Sequence, residues 1–336
     1  MTDAPAPAPA PAPASAPAST PAAAPARAPA APPAAAEPLV AEKELVQGTS
    51  LWRDAWKRLR RNRMAVAASV LVAVVVVFSL CGPWLVYWIA GWTIDHVDIS
   101  YGARSPSWSH PFGTDLLGRD LLVRVMAGGA ISLMVGAVAT SVSLVVGVLY
   151  GAVAGYAGGR VDALMTRFVD IMMSLPYILL VIVLMAVLKR SLVLLFAALG
   201  LVSWLVLARI VRGQVLSLKN REFVEAARAL GVPWFKIVTR HLIPNTLGPV
   251  IVYTTLTLPS VMLYEAFLSF LGLGVREPLA SWGSLVKEGA EAMVVYPWML
   301  VFPALVMGAT LFCLNFLGDG LRDALDPQLR TVRSPE

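Results

Sequence analysis

The residues best suited to bind another protein lie in a polar segment, residues 220–245, between two long apolar runs. Four apolar side chains recur there at the spacing that lines one face of a helix: Phe223, Ala226, Ala227 and Leu230. The other faces carry mainly charged side chains, which are Arg221, Glu222, Glu225 and Arg228. A short amphipathic helix of this kind predicts a docking surface for a protein partner.

The ends of this helix can also be predicted. Asn220 is expected to cap its start and Gly231 to end it. Pro233 suits the first turn of a second helix. Pro244 is expected to end that second helix, because proline disfavours helical geometry at the residue before it. We therefore expect two short helices joined by a glycine corner.

The sequence contains no recognisable catalytic constellation. No glycine-rich loop ends in Gly-Lys-Ser or Gly-Lys-Thr, so we do not expect the chain to bind nucleotide phosphates. The histidines, His96, His110 and His241, lack the spacing and the carboxylate partners of a zinc site. There is no Gly-x-Ser-x-Gly elbow for acyl transfer. The chain is predicted not to be an enzyme and to hold no metal or cofactor.

The composition is that of a membrane protein: 57% of the residues are hydrophobic, 14% are charged, and the mean hydropathy is +0.70. A helix that crosses a membrane needs about 20 mostly apolar residues. Six runs meet this requirement, at residues 64–90, 130–157, 170–188, 192–211, 246–270 and 298–317. Because these runs are continuous and not alternating, they predict an all-α polytopic fold with six transmembrane helices.

The net charge of +6 comes mainly from residues at the ends of the predicted spans, which disfavours a nucleic-acid partner. A strongly basic stretch, residues 53–63, precedes the first span, so the positive-inside rule places the amino terminus in the cytoplasm. Six spans then bring the carboxyl terminus and the loop 213–245 to the same side. One basic pair, Lys189 and Arg190, departs from the positive-inside rule, because this topology places it outside.

The chain divides into four predicted parts. Residues 1–45 are rich in Ala and Pro, which predicts a disordered cytoplasmic tail. In the basic flank, residues 46–64, the spacing of Trp52, Trp56 and Leu59 suits an amphipathic helix on the lipid surface. An ordinary basic flank is the alternative. Residues 65–318 are predicted to form the transmembrane domain, and residues 319–336 a second cytoplasmic tail.

Four charged side chains cluster in the long outer segment, residues 91–129: Asp115, Arg119, Asp120 and Arg124. Opposite charges spaced four residues apart, with Gly113 and Gly118 as corners, predict a locally ordered element. We interpret this element as structural. Contact with an external protein is the alternative.

Small residues and prolines mark two features of the predicted spans. Glycine recurs every four residues on one helix face, at Gly147, Gly151, Gly155 and Gly159. This face is predicted to pack closely within the bundle, and a seam with a sister subunit is the alternative.

Prolines interrupt three spans, at Pro176, Pro259 and Pro303, where they either line a pathway or kink the helices.

Two carboxylates fall within predicted spans, where each is a functional candidate. Asp170 lies near the cytoplasmic end of its span and is expected to face water or to pair with Arg167. Glu265 lies near the outer end of the fifth span. We interpret it as a hydrogen-bonded carboxylate inside the bundle, with a part in an outer gate as the alternative.

Several separated motifs resemble those of ABC importer permeases. The loop signature of that family is matched by Glu-Ala-Ala at 225–227, Gly231, and Leu-Ile-Pro at 242–244. The flanking sequence resembles the dipeptide, oligopeptide and nickel branch of that family. Within that branch it resembles the C-type member of the two permease subunits, at residues 110–120, 208–218, 240–245 and 269–274. The resemblance extends from Trp52 to Arg330.

This resemblance implies a type I importer transmembrane domain in the bacterial inner membrane that imports di- or oligopeptides with energy from ATP. In the family the signature loop is the coupling helix docked on the ATPase, and the implied coupling residues here are Arg221, Glu225, Ala226, Ala227, Arg228 and Gly231. The candidates for a gate or outer loop are Glu265, Asp115, Arg119 and Asp120. The implied partners are a second homologous permease, two cytoplasmic ATPases that bind the ATP, a periplasmic or extracellular solute-binding protein and membrane lipid.

Other functions compete with this one. Nickel or another small solute is the alternative cargo within the same importer class. An ion-coupled secondary transporter is disfavoured, because the sequence shows no convincing internal repeat. A membrane-embedded enzyme or a scaffold is disfavoured by the missing catalytic clusters.

Overall fold

The computed structural model describes residues 51–94, 96–187 and 191–325. The predicted tail at residues 1–45, the start of the basic flank at 46–50, the pair Lys189 and Arg190, and residues 326–336 lie outside them. The helices are, in chain order, α1 Leu51–Arg61, α2 Arg63–Ala90, α3 Leu121–Ala157, α4 Gly159–Ser174, α5 Tyr177–Val187, α6 Leu192–Leu218, α7 Glu222–Ala229, α8 Trp234–Lys236, a π-helical turn Ile237–Leu242, α9 Ile243–Phe270, α10 Trp282–Ala292 and α11 Trp298–Leu325. The predicted all-α fold is confirmed.

Five helical units within these ranges are long and apolar enough to cross a membrane: α2, α3, α6, the continuous stretch from α8 to α9, and α11. The predicted span at residues 170–188 is wrong as a single helix, because α4 and α5 meet at an angle of 81°. The break falls at Leu175, whose extended backbone precedes Pro176. Six spans are obtained when this bent pair is counted as one.

The structure lengthens three predicted spans. Helix α3 begins at Leu121 and not at residue 130, α6 continues to Leu218 and not 211, and α11 continues to Leu325 and not 317. The turns added to α6 and α11 contain charged and polar residues, so hydropathy alone misses them. For α3 the true start carries its own cap, since the Asp120 carboxylate accepts from the amide of Val123 at 2.9 Å.

Pro244 does not end a helix, contrary to the prediction. The chain passes from α8 through the π-helical turn into α9, and Pro244 lies in the first turn of α9. The wider π spacing, in which the Ile243 amide donates to the Val238 carbonyl, gives the proline ring the room that a regular α-turn denies it. Pro259 and Pro303 also lie inside continuous helices.

Close packing of α3 on α6 organises the bundle. Three glycines of the predicted stripe meet α6 directly, namely Gly147, Gly151 and Gly155. A Cβ atom added at Gly151 would collide with the carbonyl oxygen of Ala208, and one at Gly155 would lie 2.9 Å from that of Arg212. Gly159, by contrast, faces open space. Packing within the bundle is therefore confirmed for three of the four glycines.

Helix α1 packs against α2 and α11 and is amphipathic. Ala55 is buried, whereas Trp56, Lys57 and Arg60 are exposed. The Arg60 guanidinium lies 5.0 Å from the centre of the Trp56 ring. An exposed aromatic residue among basic side chains suits an anionic lipid surface, and that contact stays a prediction.

Gly151→Ala is expected to destabilise the fold, because the added methyl group would collide with the backbone of α6 at an overpacking cost of about 1–3 kcal/mol. Gly308→Ala in α11 is the matched control, since a Cβ there has no neighbour within 4 Å and gains the same helix propensity. Thermal unfolding of the purified chain in detergent should give a lower midpoint for Gly151→Ala than for Gly308→Ala. Equal midpoints would contradict the close contact.

Candidate functional site

Helix α7 is the predicted docking helix, and it presents two apolar sides. Val224 and Ala227 are buried in one cluster with Val215 of α6 and with Ile237 and Val238 of the π-helical turn. This side fixes α7 to the bundle. The neighbouring side is open, because the other members of the predicted apolar face are exposed, namely Phe223, Ala226 and Leu230.

The two ends of α7 are held differently. The predicted cap at Asn220 is wrong: the N-cap position is Arg221, whose side chain makes no capping hydrogen bond. The C-terminal prediction is right, since Gly231 has φ +72°. The amides of Gly231 and Val232 donate to the carbonyls of Arg228 and Ala227, each at 3.0 Å. This pair of bonds is a Schellman motif, and it sets the direction in which the chain leaves α7.

Polar contacts tie the region around α7 to neighbouring helices. The Arg228 guanidinium lies 5.1 Å from the centre of the Tyr156 ring in the last turn of α3. The Lys219 ammonium donates to the Gly155 carbonyl at 2.9 Å. Arg228 therefore faces its own chain, and it helps to position α7.

An exposed apolar surface with acidic residues on it, which we call the α7 surface, remains open. It consists of Phe223 and Ala226 of α7, Leu230 at its C-cap, the following aromatic pair Trp234 and Phe235, and the exposed carboxylates of Glu222 and Glu225. Leu230 is 83% exposed and Phe235 is 61% exposed. Large apolar side chains collected in this way indicate a protein interface more than they indicate ordinary surface.

At the other end of α3 the clustered charges form a buried network. Arg124 donates to Asp115 at 2.7 Å and to Glu288 of α10 at 3.0 Å, while Arg119 donates to Asp115 at 2.6 Å. Arg124 and Asp115 are both almost fully buried. Burial alone would lower the pKa of Arg119, but the hydrogen bonds and charges of Asp115 and Glu277 raise it. The network joins the outer segment to α3 and α10, which confirms an ordered element.

Asp120 performs a double role at the start of α3. One carboxylate oxygen caps the helix, and the other lies 2.8 Å from Nδ1 of His110. The His110 ring stacks on Trp92 with centroids 4.1 Å apart. Nearby, hydrogen bonds from the Ser100 hydroxyl and from the backbone hold the pKa of Asp98 below its usual value. No three His, Cys, Asp or Glu side chains come together as a metal site in the part of the chain that the structure describes.

The two carboxylates of the spans have separate surroundings. Glu265 is fully buried and accepts from Ser269 at 2.6 Å and from Ser132 at 3.2 Å, which confirms a hydrogen-bonded carboxylate inside the bundle. Asp170 is half exposed and pairs with Arg209 of α6. The sequence predicts that Asp170 faces water or pairs with Arg167, and its ion-pair partner in the structure is Arg209.

Sequence reasoning missed the partners that come from distant parts of the chain. Glu288 lies 164 residues from Arg124, so no local spacing connects them. Tyr156 contacts Arg228 across the bundle. Helix α10 itself could have been found, because Ser281 and Ser284 form a reciprocal capping box at its start.

Two family models match the chain. Residues 147–331 match the binding-protein-dependent transport system inner membrane component, and residues 50–101 match the N-terminal TM domain of oligopeptide transport permease C. The first match covers more than half of the chain and includes α7. The chain belongs to the family of binding-protein-dependent transport system inner membrane components, and it is a multi-pass membrane protein.

Close relatives agree with this family. The chain is 49% identical to the oligopeptide transport system permease protein OppC of Haemophilus influenzae, over 86% of this chain and 92% of that protein. It is 51% identical to OppC of Escherichia coli K12, over 86% and 95% of the two chains. It is 43% identical to the dipeptide transport system permease protein DppC of Bacillus subtilis, over 84% and 87%.

Arg124→Gln should destabilise the chain, because it removes the charge that joins buried Asp115 to Glu288 and leaves Asp115 with Arg119 alone. Breaking a buried ion pair completely costs about 3–5 kcal/mol, and the remaining Arg119 keeps the loss at or below that range. Lys287→Gln is the control, since its pair with Glu291 is exposed and 3.9 Å long and such pairs contribute about 0–1 kcal/mol. Tryptophan fluorescence during thermal unfolding in detergent compares the two. A shift for Arg124→Gln no larger than that of Lys287→Gln would refute a stabilising network.

Proposed function

We propose that the chain is the C-type permease subunit of an ATP-driven, binding-protein-dependent importer of di- or oligopeptides. The relatives named above are oligopeptide and dipeptide permeases at 43–51% identity. The observation that carries the coupling role is the α7 surface: an exposed apolar face on a helix whose adjacent face is buried in the bundle. A helix held in this way transmits displacement from a bound partner to the spans.

The proposed orientation places both termini and α7 in the cytoplasm of a bacterial cell. It is supported by the basic residues that flank the first span, which the positive-inside rule assigns to the cytoplasmic side. In this orientation α7 is on the side where ATP is available. The Asp115 network and α10 then lie on the outer side, where a solute-binding protein delivers its cargo.

The proposed mechanism has the α7 surface seated on a cytoplasmic ATPase subunit. ATP binding closes a pair of such subunits, and each docked helix moves with its ATPase. Because Val224 and Ala227 are buried against α6 and the π-helical turn, movement of α7 displaces α6 and α9 as well. The bundle then passes between inward-facing and outward-facing states, each stabilised by different contacts with its partners.

The proposed assembly contains this chain, a second homologous permease, two ATPases and an external solute-binding protein. The ATPases bind and hydrolyse the ATP, and this chain holds no cofactor of its own. Within α7 we assign partner contact to the exposed residues, which include Glu225 and Ala226. Arg221, Ala227, Arg228 and Gly231 set the position and direction of the helix.

Affinity purification of the tagged chain from native membranes in mild detergent tests this assembly. The wild-type chain should recover a second permease and ATPase subunits. Glu225→Lys, a charge reversal on the α7 surface, should lose the ATPases and keep the permease. Asp323→Lys is the control, because it makes the same charge change at an exposed position near the end of α11. A wild-type chain that elutes alone would contradict the proposed function.

Gly231→Ala should uncouple ATP hydrolysis from transport without preventing insertion. A Cβ at residue 231 has no neighbour within 4 Å, so the added methyl group causes no collision. The φ of +72° is left-handed, and a residue with a Cβ adopts it at a free-energy cost of roughly 1–2 kcal/mol. The substitution therefore strains the backbone of the corner after α7. Gly213→Ala is the control, since its surroundings are equally open and its φ is ordinary. In proteoliposomes, peptide uptake per ATP hydrolysed should fall only for Gly231→Ala. Unchanged coupling in both variants would contradict the role given to this corner.

A further inference from the structure

A cavity of about 380 Å³ opens where the bent pair α4–α5 meets α6 and α9. Its volume falls in the range of small-molecule pockets, about 300–1,000 Å³. Six of its lining residues carry a hydroxyl: Tyr177 of α5, Ser203 of α6, and Tyr253, Thr257, Ser260 and Tyr264 of α9. The cavity is therefore polar at several points although it lies among membrane-spanning segments.

The backbone beside this cavity also needs a polar environment. Leu175 lines the cavity and forms the 81° break between α4 and α5. Non-helical backbone is tolerated at membrane depth only where it is buried in protein or lines a water-filled space, because lipid cannot satisfy the freed amides and carbonyls. The break and the hydroxyls lie in the same place. Together they indicate a cavity that faces water or a polar ligand and not lipid.

The hydroxyls differ in whether they already form hydrogen bonds within the protein. Ser203, Thr257 and Ser260 each donate to a carbonyl one turn earlier in their own helix. Tyr177 makes only long contacts, 3.3 Å to Ser203 and 3.4 Å to the Leu199 carbonyl. None of the hydrogen bonds found among the described residues uses the hydroxyl of Tyr253 or Tyr264. These two phenols are available to a ligand as donors and as acceptors.

The rest of the lining restricts the kind of ligand. Among the described residues that line it, the cavity presents no carboxylate, imidazole, ammonium or guanidinium group, so these residues neither attract nor repel a charged side chain by ion pairing. The same lining residues include none of the imidazole and carboxylate ligands that a nickel ion prefers. Met172 and Met173 add flexible thioethers, which adapt to varied apolar shapes.

We propose that this cavity binds the main chain of the transported peptide through the Tyr253 and Tyr264 hydroxyls, while Met172 and Met173 accommodate its side chains. This inference rests on the proposed function and adds the site and its selectivity to it. Main-chain amides and carbonyls are common to all peptides, so the site tolerates peptides of any side-chain charge. The hydroxyl and thioether lining of the cavity favours this ligand over a metal ion.

The double variant Tyr253→Phe with Tyr264→Phe tests the hydroxyls, because it removes two oxygen atoms and preserves both rings. Two neutral hydrogen bonds together correspond to about a thirtyfold change in affinity, and so in uptake at peptide concentrations below saturation. In proteoliposomes that contain the whole importer and its binding protein, uptake of acidic, neutral and basic tripeptides should fall by this same factor. Tyr87→Phe, at the exposed end of α2, is the control and should transport normally.

Thiol labelling provides a measurement that does not depend on transport rate. In a chain whose two cysteines are replaced, Cys81→Ser and Cys313→Ala, a cysteine is introduced as Ser260→Cys in the cavity or as Val74→Cys on the exposed face of α2. A membrane-impermeant maleimide should label Ser260→Cys, and excess tripeptide with ATP and binding protein should slow that labelling. Val74→Cys should stay unlabelled.

The outcomes separate the two claims. If the wild-type importer accumulates tripeptides, but the double variant transports them normally and peptide does not protect Ser260→Cys, the cavity proposal is overturned and the proposed function stands. If the wild-type importer accumulates another solute and no peptide, the proposed function falls and the cavity proposal falls with it. Uniform loss of uptake together with protection supports both. Loss of uptake for peptides of only one charge would overturn main-chain recognition.

Discussion

The close contact between α3 and α6 is the constraint on which the rest of the structure depends. It requires glycine at Gly147, Gly151 and Gly155, because any side chain there would meet the backbone or Cβ atoms of α6. Lipid supplies no hydrophobic driving force between helices, so van der Waals packing at short range must hold them together. With 37 residues, α3 is about 56 Å long at 1.5 Å per residue. It is therefore longer than the hydrocarbon core is thick, so it tilts within the membrane or extends beyond it.

Each end of α3 carries a different part of the proposed machinery. At its start, Arg124 joins Asp115 and Glu288 in a buried network that fixes the outer segment and α10. At its end, Tyr156 lies under Arg228 and so helps to hold α7. Helix α6 shares the glycine contact and contributes Ser203 to the cavity beside the broken helix. One helix pair thus connects the outer surface, the cavity and the α7 surface.

Much of this fold could be predicted from the sequence, because the signals are local. Apolar runs marked five continuous spans, the glycine stripe marked a close helix contact, and Gly231 marked the end of α7. The errors have physical causes. The chain bends just before Pro176, within a stretch that hydropathy identified as one span. Hydropathy measures only how apolar a stretch is and contains no information on the direction of the backbone. The π-helical turn before Pro244 allows the helix to continue past this proline, and local propensity does not predict such a turn.

The candidate site was only partly predictable. Charge periodicity placed Arg119 and Arg124 in an ordered element, but their respective partners Glu277 and Glu288 come from distant sequence, and only the fold brings them together. Periodicity also grouped Ala227 with Phe223 and Leu230 on one face. Tertiary packing then buried Ala227 and left the other two exposed. Which side of a short amphipathic helix faces the bundle depends on its neighbours and not on its own sequence.

Photo-cross-linking from the α7 surface tests whether α7 docks on an ATPase subunit. A benzoylphenylalanine residue at position 230 would stand where Leu230 is 83% exposed, and one at position 305 of α11 would replace Leu305, which is 63% exposed on a membrane-spanning helix. Irradiation of native membranes, followed by identification of the adducts, should yield an ATPase subunit from position 230 and none from position 305. The absence of an ATPase adduct at position 230, in membranes where the ATPase is present, would contradict the account.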